Sequence, residues 1–433
     1  MIKKQKKRFS RMLLTTALAA VMCLEVTAPA FAAGDPLNGT ETSPAKASIT
    51  KMLDMPEGTT TPAADFTFSF TKKSYMGETT QSALSQIPNI SPVTASFSST
   101  DVGSTDSQTA IKRVPKEVEV TPTFTSTGIY TYDITENDDT YTIADPAKET
   151  MSYSQAKYEI SYYVKEKTDH SGFYVETIVT KILVNDDGTT GSGEKINPNP
   201  GGPTGSGSYS GLVFHNAYTK NTGGVDPTIP ANQVLAISKA VAGDFADQTK
   251  YFSYDVSITK PAVLTNEVTY KAYIIDSTGV VTGDANVASG DTGSIQTDGN
   301  GKKYIEVTTG ATKVINLKHN QILVFNDLEV GATYVADLQG AVGYTPKARI
   351  TADGSVITPD LTAAEGQSLS TGSWLIGESK NSADFTSTFK TITPTGVVIN
   401  NLPFIMILFI AAGAFTAFVV VKSNKRRVYG SKH

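Results

Sequence analysis

The chain has 433 residues but a single cysteine, Cys23. One thiol excludes a disulfide framework and a thiolate zinc site. Histidine is scarce too, and its four copies stand apart at 170, 215, 319 and 433, so we expect no metal ion. Amphipathic helical stretches are few, whereas 35 glycines and 20 prolines punctuate runs of alternating apolar and polar residues. The sequence therefore predicts an all-β protein without a cofactor.

Recognisable catalytic motifs are missing as well. The sequence has no Ser-His-Asp arrangement and no carboxylate pair in a cleft motif. Its glycine runs at 188–210 do not lead into a helix, so they are poor candidates for a phosphate-binding loop. We expect a protein that is not an enzyme, and a secreted enzyme is a remote alternative.

The first 33 residues have the three-part pattern of a secretory signal peptide. Six basic residues precede position 12, an apolar stretch covers 12–24, and small residues alternate over 28–32. This pattern predicts export with cleavage after Ala32 or Ala33. A membrane anchor is the alternative, but the apolar stretch is short for a span. Cleavage would also remove Cys23.

The C-terminal segment, 391–433, has a matching organisation. Residues 402–421 form a run of 20 without a charge, which predicts a transmembrane helix, and a basic tail follows it. Upstream lies Pro394-Thr395-Gly396. This order resembles the cell-wall sorting signal of Gram-positive surface proteins, which implies that a sortase cuts between Thr395 and Gly396. A plain single-span membrane protein is the alternative.

Between these two signals the chain is acidic. Residues 34–395 contain 26 basic and 41 acidic side chains. A net charge of −15 repels nucleic acids and anionic surfaces, so we expect no nucleic-acid partner.

The exported part divides into two immunoglobulin-like β-sandwich domains. Period-two alternation, as in Tyr130, Tyr132 and Ile134, recurs along short segments bounded by turn residues. We predict domains at 46–220 and 233–390, a linker at 221–232, and an internal loop at 188–210 inside the first domain.

Some ionisable side chains fall on the apolar face of these predicted strands. Lys51 shares a face with Ile49 and Leu53, and Lys239 shares one with Leu235 and Ile237. Burial of a lysine disfavours its charged form and can lower its pKa by up to about 5 units. We therefore expect neutral, nucleophilic amines at both positions; a lysine side chain that extends to place its amine in solvent is the alternative.

The first domain also supplies reaction partners for Lys51. Asn216 lies on the apolar face of the last strand, and Glu136 ends an apolar set on another strand. A buried carboxyl stays protonated near neutral pH, so it can polarise an amide carbonyl by a hydrogen bond and pass protons between an amine and the amide. The three residues predict a Lys51–Asn216 isopeptide bond, with Glu136 as proton shuttle.

Longer segments carry a family resemblance. Residues 49–70 (ITKMLDMPEGTTTPAADFTFSF), 128–136 (GIYTYDITE) and 212–220 (LVFHNAYTK) resemble the first domain of streptococcal-type major pilins. Residues 235–245 (LAISKAVAGDF) and 317–337 (LKHNQILVFNDLEVGATYVAD) are similar to a collagen-adhesin B-type (CnaB-like) domain. The resemblance implies the same crosslinking roles for Lys51, Asn216 and Glu136.

The second domain departs from this family pattern. The resemblance implies Lys239 as its amine and Asp337 as its shuttle, but Ser387 stands where the family has asparagine. A hydroxyl cannot form the amide. We therefore expect either no crosslink in this domain or a different partner, such as Asn381.

Together these features predict a pilin or pilin-like protein of the Gram-positive cell surface. The resemblance implies a sortase as partner, joining Thr395 to peptidoglycan or to a neighbouring pilin subunit; the membrane would hold only the precursor. Lys195 and Lys220 are the candidate amines for polymerisation. A wall-anchored monomer acting as adhesin or stalk is the alternative, and the host ligand is open.

Overall fold

The computed structural model describes residues 37–199, 209–264, 266–390 and 406–422. Strands make up 46% of the protein, which confirms the predicted all-β class. The predicted signal peptide lies outside the described residues, and so do Thr395 and Gly396.

The described residues of the first unit form twelve strands. They are β1 (Leu37–Asn38), β2 (Ala47–Pro56), β3 (Ala64–Tyr75), β4 (Val93–Phe97), β5 (Ser104–Thr105), β6 (Ile111–Val120), β7 (Gly128–Glu136), β8 (Glu149–Ser152), β9 (Lys157–Glu166), β10 (Phe173–Val184), β11 (Lys195–Ile196) and β12 (Val213–Lys220). A short helix, α1 (Gln81–Ser85), begins after Thr80, whose hydroxyl accepts a hydrogen bond from Ala83 N.

These strands form two sheets that share one core. One sheet has the order β1-β10-β9-β7-β3-β4 with β11 beside β10, and the other has the order β5-β6-β2-β12-β8. Ile49 and Leu53 from one sheet and Phe66 and Tyr132 from the other are fully buried in the same cluster. β2 and β12 are neighbours and run parallel, so the first long strand and the last are directly hydrogen-bonded.

In the second unit, the part of the chain that the structure describes forms fifteen strands. They are β13 (Leu235–Ala242), β14 (Phe252–Thr259), β15 (Thr269–Asp276), β16 (Gly279–Val280), β17 (Ile295–Thr297), β18 (Lys303–Thr308), β19 (Thr312–Leu317), β20 (Ile322–Phe325), β21 (Thr333–Leu338), β22 (Tyr344–Ala352), β23 (Ser355–Val356), β24 (Leu361–Thr362), β25 (Leu369–Ser370), β26 (Trp374–Leu375) and β27 (Asn381–Phe389).

The second unit repeats the two-sheet plan. The larger sheet follows the order β17-β18-β15-β20-β13-β27-β22-β23, and the smaller follows β19-β14-β21-β25. Residues of both sheets, such as Ile237 and Val256, are buried in one cluster. Here too the first and last long strands, β13 and β27, pair in parallel.

Two of the predicted connections are more ordered than expected. Within the predicted loop at 188–210, β11 pairs with β10, while residues 200–208 lie outside the described part. In the predicted linker, Asp226 is 2.6 Å from Lys302 Nζ, and Asn326 Nδ2 donates to Gly224 O at 2.6 Å. The linker is therefore bound along the second unit.

A helix covers residues 406–422 near the C-terminus. Among the residues that the structure describes, no helix combines the length and the apolar character needed to cross a membrane. Of the predicted membrane span over 402–421, residues 402–405 lie outside the described part.

Candidate functional site

The candidate site is a buried cluster in the first unit, centred on Lys51. This residue lies in the middle of β2, between β6 and β12, and its side chain is 0% exposed. The alternation of β2 turns it inward, where its Nζ is 4.8 Å from the centre of the Phe66 ring. An ammonium in such surroundings loses its hydration, so burial lowers the pKa of Lys51, although the Glu136 charge opposes the shift.

Glu136 is the polar partner of this lysine. It ends β7 on the face that also carries Tyr132 and Ile134, and its side chain is 0% exposed. Its Oε2 lies 2.7 Å from Lys51 Nζ, and its Oε1 accepts a hydrogen bond of 2.7 Å from Asn216 Nδ2. Burial raises the pKa of Glu136, although Lys51 opposes this shift. A neutral amine facing a neutral carboxyl is the state that burial favours.

Asn216 completes the cluster from β12. Lys51 is in register with Phe214 on the parallel neighbour strand, so Asn216 stands two residues farther along the same face. Its Oδ1 accepts a hydrogen bond of 2.8 Å from the main-chain N–H of Ser154. Because that N–H can only donate, the atom facing it must be the carbonyl oxygen. The amide nitrogen therefore faces Glu136.

This orientation refines the chemistry predicted from sequence. There the carboxyl was expected to polarise the amide carbonyl. In the structure the carbonyl oxygen points to Ser154 N–H, while the carboxyl contacts Lys51 Nζ and Asn216 Nδ2. This geometry would allow Glu136 to transfer protons, and it would allow the Ser154 N–H to stabilise negative charge on the carbonyl oxygen by donating a hydrogen bond.

Ser154 and its neighbour Asp186 are the site residues that sequence reasoning missed. Ser154 Oγ donates a hydrogen bond to Asp186 Oδ1. Asp186 Oδ1 also accepts a hydrogen bond of 3.0 Å from His215 N. Both residues lie between strands, where a polar side chain gives no period-two signal.

Among the described residues, no group of His, Cys, Asp and Glu side chains could hold a metal ion.

Lys239 occupies the equivalent position in the second unit. Lys239 is in register with Phe385, and Ser387 lies two residues farther along β27. Lys239 Nζ donates to Ser387 Oγ and lies 3.9 Å from the centre of the Phe252 ring. Burial lowers the pKa of Lys239 to about 7. Ser387 therefore stands where Asn216 stands in the first unit, as the resemblance implied.

The other two residues suggested for the second unit do not fit this geometry. Asp337 lies between the buried residues Ala336 and Leu338 of β21, so its side chain is on the opposite face from the core. Asn381 is in register with Leu235, four residues and about 13 Å along the ladder from Lys239. Its Nδ2 donates to the main-chain oxygens of Val234, Gly377 and Ser379. The structure therefore contradicts both predictions, Asp337 as the proton shuttle and Asn381 as the crosslinking partner of Lys239.

The two candidate polymerisation lysines lie in different surroundings. Lys195 is exposed in β11, at the edge of its sheet. Lys220 ends β12 at the junction of the two units, where its Nζ is 2.6 Å from Glu378 Oε1 and its side chain is 19% exposed. Lys195 is therefore the more accessible of the two amines.

The two units approach each other closely at this junction. A Cβ added at Gly331 would lie 2.3 Å from Pro56 Cβ.

Comparisons with known proteins give limited matches. Residues 233–368 match a family model described as a domain of unknown function, DUF7601. No curated protein matches the chain.

Three solved structures illustrate the fold comparison. A major pilin from Streptococcus pyogenes is 16% identical, with 80% of this chain and 99% of that chain covered and a TM-score of 0.30. The major pilin T-13 from the same species is 17% identical, with 82% and 99% covered and a TM-score of 0.28. A pilus-presented adhesin is 14% identical, with 49% and 36% covered and a TM-score of 0.21. These values establish no function for this chain.

Proposed function

We propose that this chain is a structural protein of the cell surface whose first unit is closed by a self-formed isopeptide bond between Lys51 and Asn216. The observation that carries the proposal is the position of Glu136, whose two carboxyl oxygens each contact one of the reacting nitrogens. All three side chains are fully buried. Such a set can react once, on folding, without a cofactor.

The proposed reaction follows from these contacts. The neutral Lys51 Nζ attacks Asn216 Cγ, and the new N–C bond forms as charge develops on Oδ1. Glu136 takes a proton from Nζ and delivers a proton to Nδ2. The Cγ–Nδ2 bond breaks and ammonia leaves, so a lysine amine and a carboxamide become a secondary amide plus ammonia. Glu136 ends in the protonation state in which it began.

The crosslink would serve a mechanical role. β12 leads from the first unit into the second, so a load carried between the units pulls on this strand. A covalent tie to β2 keeps β12 in its sheet when the hydrogen bonds between the two parallel strands would otherwise yield. By analogy with a disulfide that closes a long loop, the tie should stabilise the unit by about 2–5 kcal/mol.

We further propose that a sortase joins Thr395 to peptidoglycan or to a neighbouring copy of the chain, giving a pilus-type surface protein. The support is the Pro394-Thr395-Gly396 motif in a C-terminal segment that resembles a sorting signal. The exposed Lys195 is the proposed amine for joining subunits. A wall-anchored monomer would use the same motif but would form no polymer.

Intact-mass measurement of the purified chain tests the crosslink. We expect the mass to be lower than the sequence mass, after allowing for signal cleavage, by one ammonia. Glu136→Gln should restore the missing mass, because an amide cannot shuttle the protons. Glu149→Gln, which removes a carboxylate from β8 in the other sheet and outside the site, is the matched control. An unmodified wild-type mass, or an unchanged loss in Glu136→Gln, would refute the proposal.

A further inference from the structure

The carbonyl oxygen of Asn216 has a single described hydrogen-bond donor, the main-chain N–H of Ser154 at 2.8 Å. Attack on Asn216 Cγ makes this oxygen negative, so a donor already in place stabilises the reacting state more than the starting amide. The rate of crosslinking should therefore depend on how firmly the Ser154 N–H is held. Ser154 itself is 4% exposed and lies between β8 and β9, outside the strand ladders.

Asp186 is the residue that holds this segment. Its Oδ1 accepts from Ser154 Oγ, and its main-chain oxygen accepts from Gln155 N at 3.0 Å. Ser154 Oγ in turn accepts from Ala156 N at 3.1 Å. The turn is thus fixed through both the side chain and the main chain of Asp186.

The same carboxyl oxygen also reaches the strand that carries the electrophile. Asp186 Oδ1 accepts a hydrogen bond of 3.0 Å from His215 N, the residue next to Asn216. One atom therefore connects the turn that donates to the carbonyl oxygen with the strand that presents the carbonyl. Asp186 does not contact Asn216 in the hydrogen bonds described, so it can position Asn216 only through Ser154 and His215, while its charge acts separately on Lys51 and Glu136.

We propose that Asp186 is a positioning residue for the crosslinking reaction, which holds the Ser154 N–H against Asn216 Oδ1 as an oxyanion donor. This inference rests on the proposed Lys51–Asn216 bond. It adds one element to that reaction. The negative charge that develops on Oδ1 when the Nζ–Cγ bond forms is stabilised by the hydrogen bond that Ser154 N–H donates, until the Cγ–Nδ2 bond breaks and ammonia leaves. The proton path through Glu136 is unchanged.

The experiment is a rate measurement on the full chain. The chain is made by cell-free synthesis, synthesis is stopped, and the uncrosslinked fraction is followed by intact mass against time. Loss of an oxyanion donor costs about 10²–10³ in rate, so a loosened donor should slow Asp186→Ala by about tenfold or more. Ser154→Ala keeps the N–H but loses the bond to Asp186, and it should also be slowed.

Asp186→Asn separates positioning from charge. The asparagine keeps an Oδ1 that can accept from both Ser154 Oγ and His215 N, so we expect a rate within about twofold of wild type. The Asp186 charge also raises the pKa of Glu136. If charge were the important property, Asp186→Asn would be as slow as Asp186→Ala, with a shifted pH–rate profile. That outcome would overturn the positioning role.

Folding is checked in a background that cannot react. Asp186→Ala is combined with Lys51→Met and compared with Lys51→Met alone by thermal unfolding, which shows any structural damage separately from rate. If the combined variant does not fold, Ser154→Ala decides the question, and a wild-type rate for it would refute the inference. A wild-type chain that never loses ammonia would refute the crosslink itself. A reacting wild type with an equally fast, folded Asp186→Ala would refute only the role of Asp186.

Discussion

Lys239 illustrates what burial does to a lysine in this fold. It is 2% exposed, and its Nζ bonds a hydroxyl rather than a carboxylate. Its pKa is lowered from 10.5 to about 7. Between pH 7 and pH 10.5 the unfolded chain binds a proton at this lysine that the folded chain does not bind. The free energy of unfolding therefore rises with pH in this window, and below about pH 7 it no longer changes because of this lysine.

The size of the effect follows from the pKa difference. One pKa unit corresponds to about 1.4 kcal/mol. At pH 7.5 the lysine therefore lowers the free energy of unfolding of the second unit by about 4 kcal/mol relative to its value at strongly alkaline pH. Between pH 7.5 and 9.5 the free energy of unfolding should rise by about 2–3 kcal/mol. Asp327, whose pKa burial raises to about 7, titrates mainly below this range and does not produce such a rise.

Lys239→Met should remove most of this pH dependence. Methionine is unbranched and of similar length, so it can fill the same space without a charge. We expect a gain of about 4 kcal/mol at pH 7.5, reduced by about 1–2 kcal/mol because Ser387 Oγ loses its partner. Adding Ser387→Ala should recover that loss. The gain should shrink as the pH approaches 9.5.

Urea unfolding followed by tryptophan fluorescence is the assay. The chain has one tryptophan, Trp374, and it lies in β26 of the second unit, so the signal reports this unit alone. Lys303→Met, at an exposed position of β18, is the control and should keep the wild-type slope. A Lys239→Met protein with the wild-type slope, or one less stable than wild type at pH 7.5, would refute the reasoning.

Two further predictions concern crosslinking and polymerisation. Ser387→Asn should still lose only one ammonia per chain by intact mass, because among the described residues no carboxylate bonds Lys239 Nζ; a second loss would show that a shuttle exists in the second unit. With the cognate sortase present, Lys195→Ala should abolish the high-mass ladder on denaturing gels, whereas Lys220→Ala should keep it because that amine is engaged by Glu378. The reverse result would assign the joining amine to Lys220.

Period-two alternation was sufficient to predict the core of the candidate site. A strand fixes which side chains share a face, so the alternation in β2, β7 and β12 turns Lys51, Glu136 and Asn216 inward whatever the neighbouring strands are. The pairing of β2 with β12 adds the register that brings the amine and the amide together. That register depends on contacts between residues far apart in sequence, so alternation alone could not supply it.

Ser154 and Asp186 could not be found in this way. The functional group of Ser154 is a main-chain N–H, which every residue except proline carries. Asp186 belongs to an Asn-Asp-Asp-Gly stretch, whose composition is typical of a solvated turn. Only the fold shows that this turn contacts both β12 and the segment before β9.

Asp337 is the opposite case. The alternation of β21 predicts that its side chain faces away from the core, whereas the family resemblance implies a buried proton shuttle. Tyr334, Ala336 and Leu338 form the apolar set of β21, and this phase alone places Asp337 on the other face. The physical pattern was the better guide, since it depends on the geometry of this strand and not on correspondence with another protein.

A comparison of Lys51 with Lys239 shows which condition for the proposed reaction the second unit lacks. Both lie on the first long strand of a unit, both face a phenylalanine in register on the parallel last strand, and burial lowers the pKa of both. A neutral amine is therefore common to the two units. What differs is the partner: a carboxyl and a carboxamide beside Lys51, a hydroxyl beside Lys239. The same desolvation that would drive a covalent bond in the first unit leaves the second with a lysine whose ionisation makes its stability depend on pH.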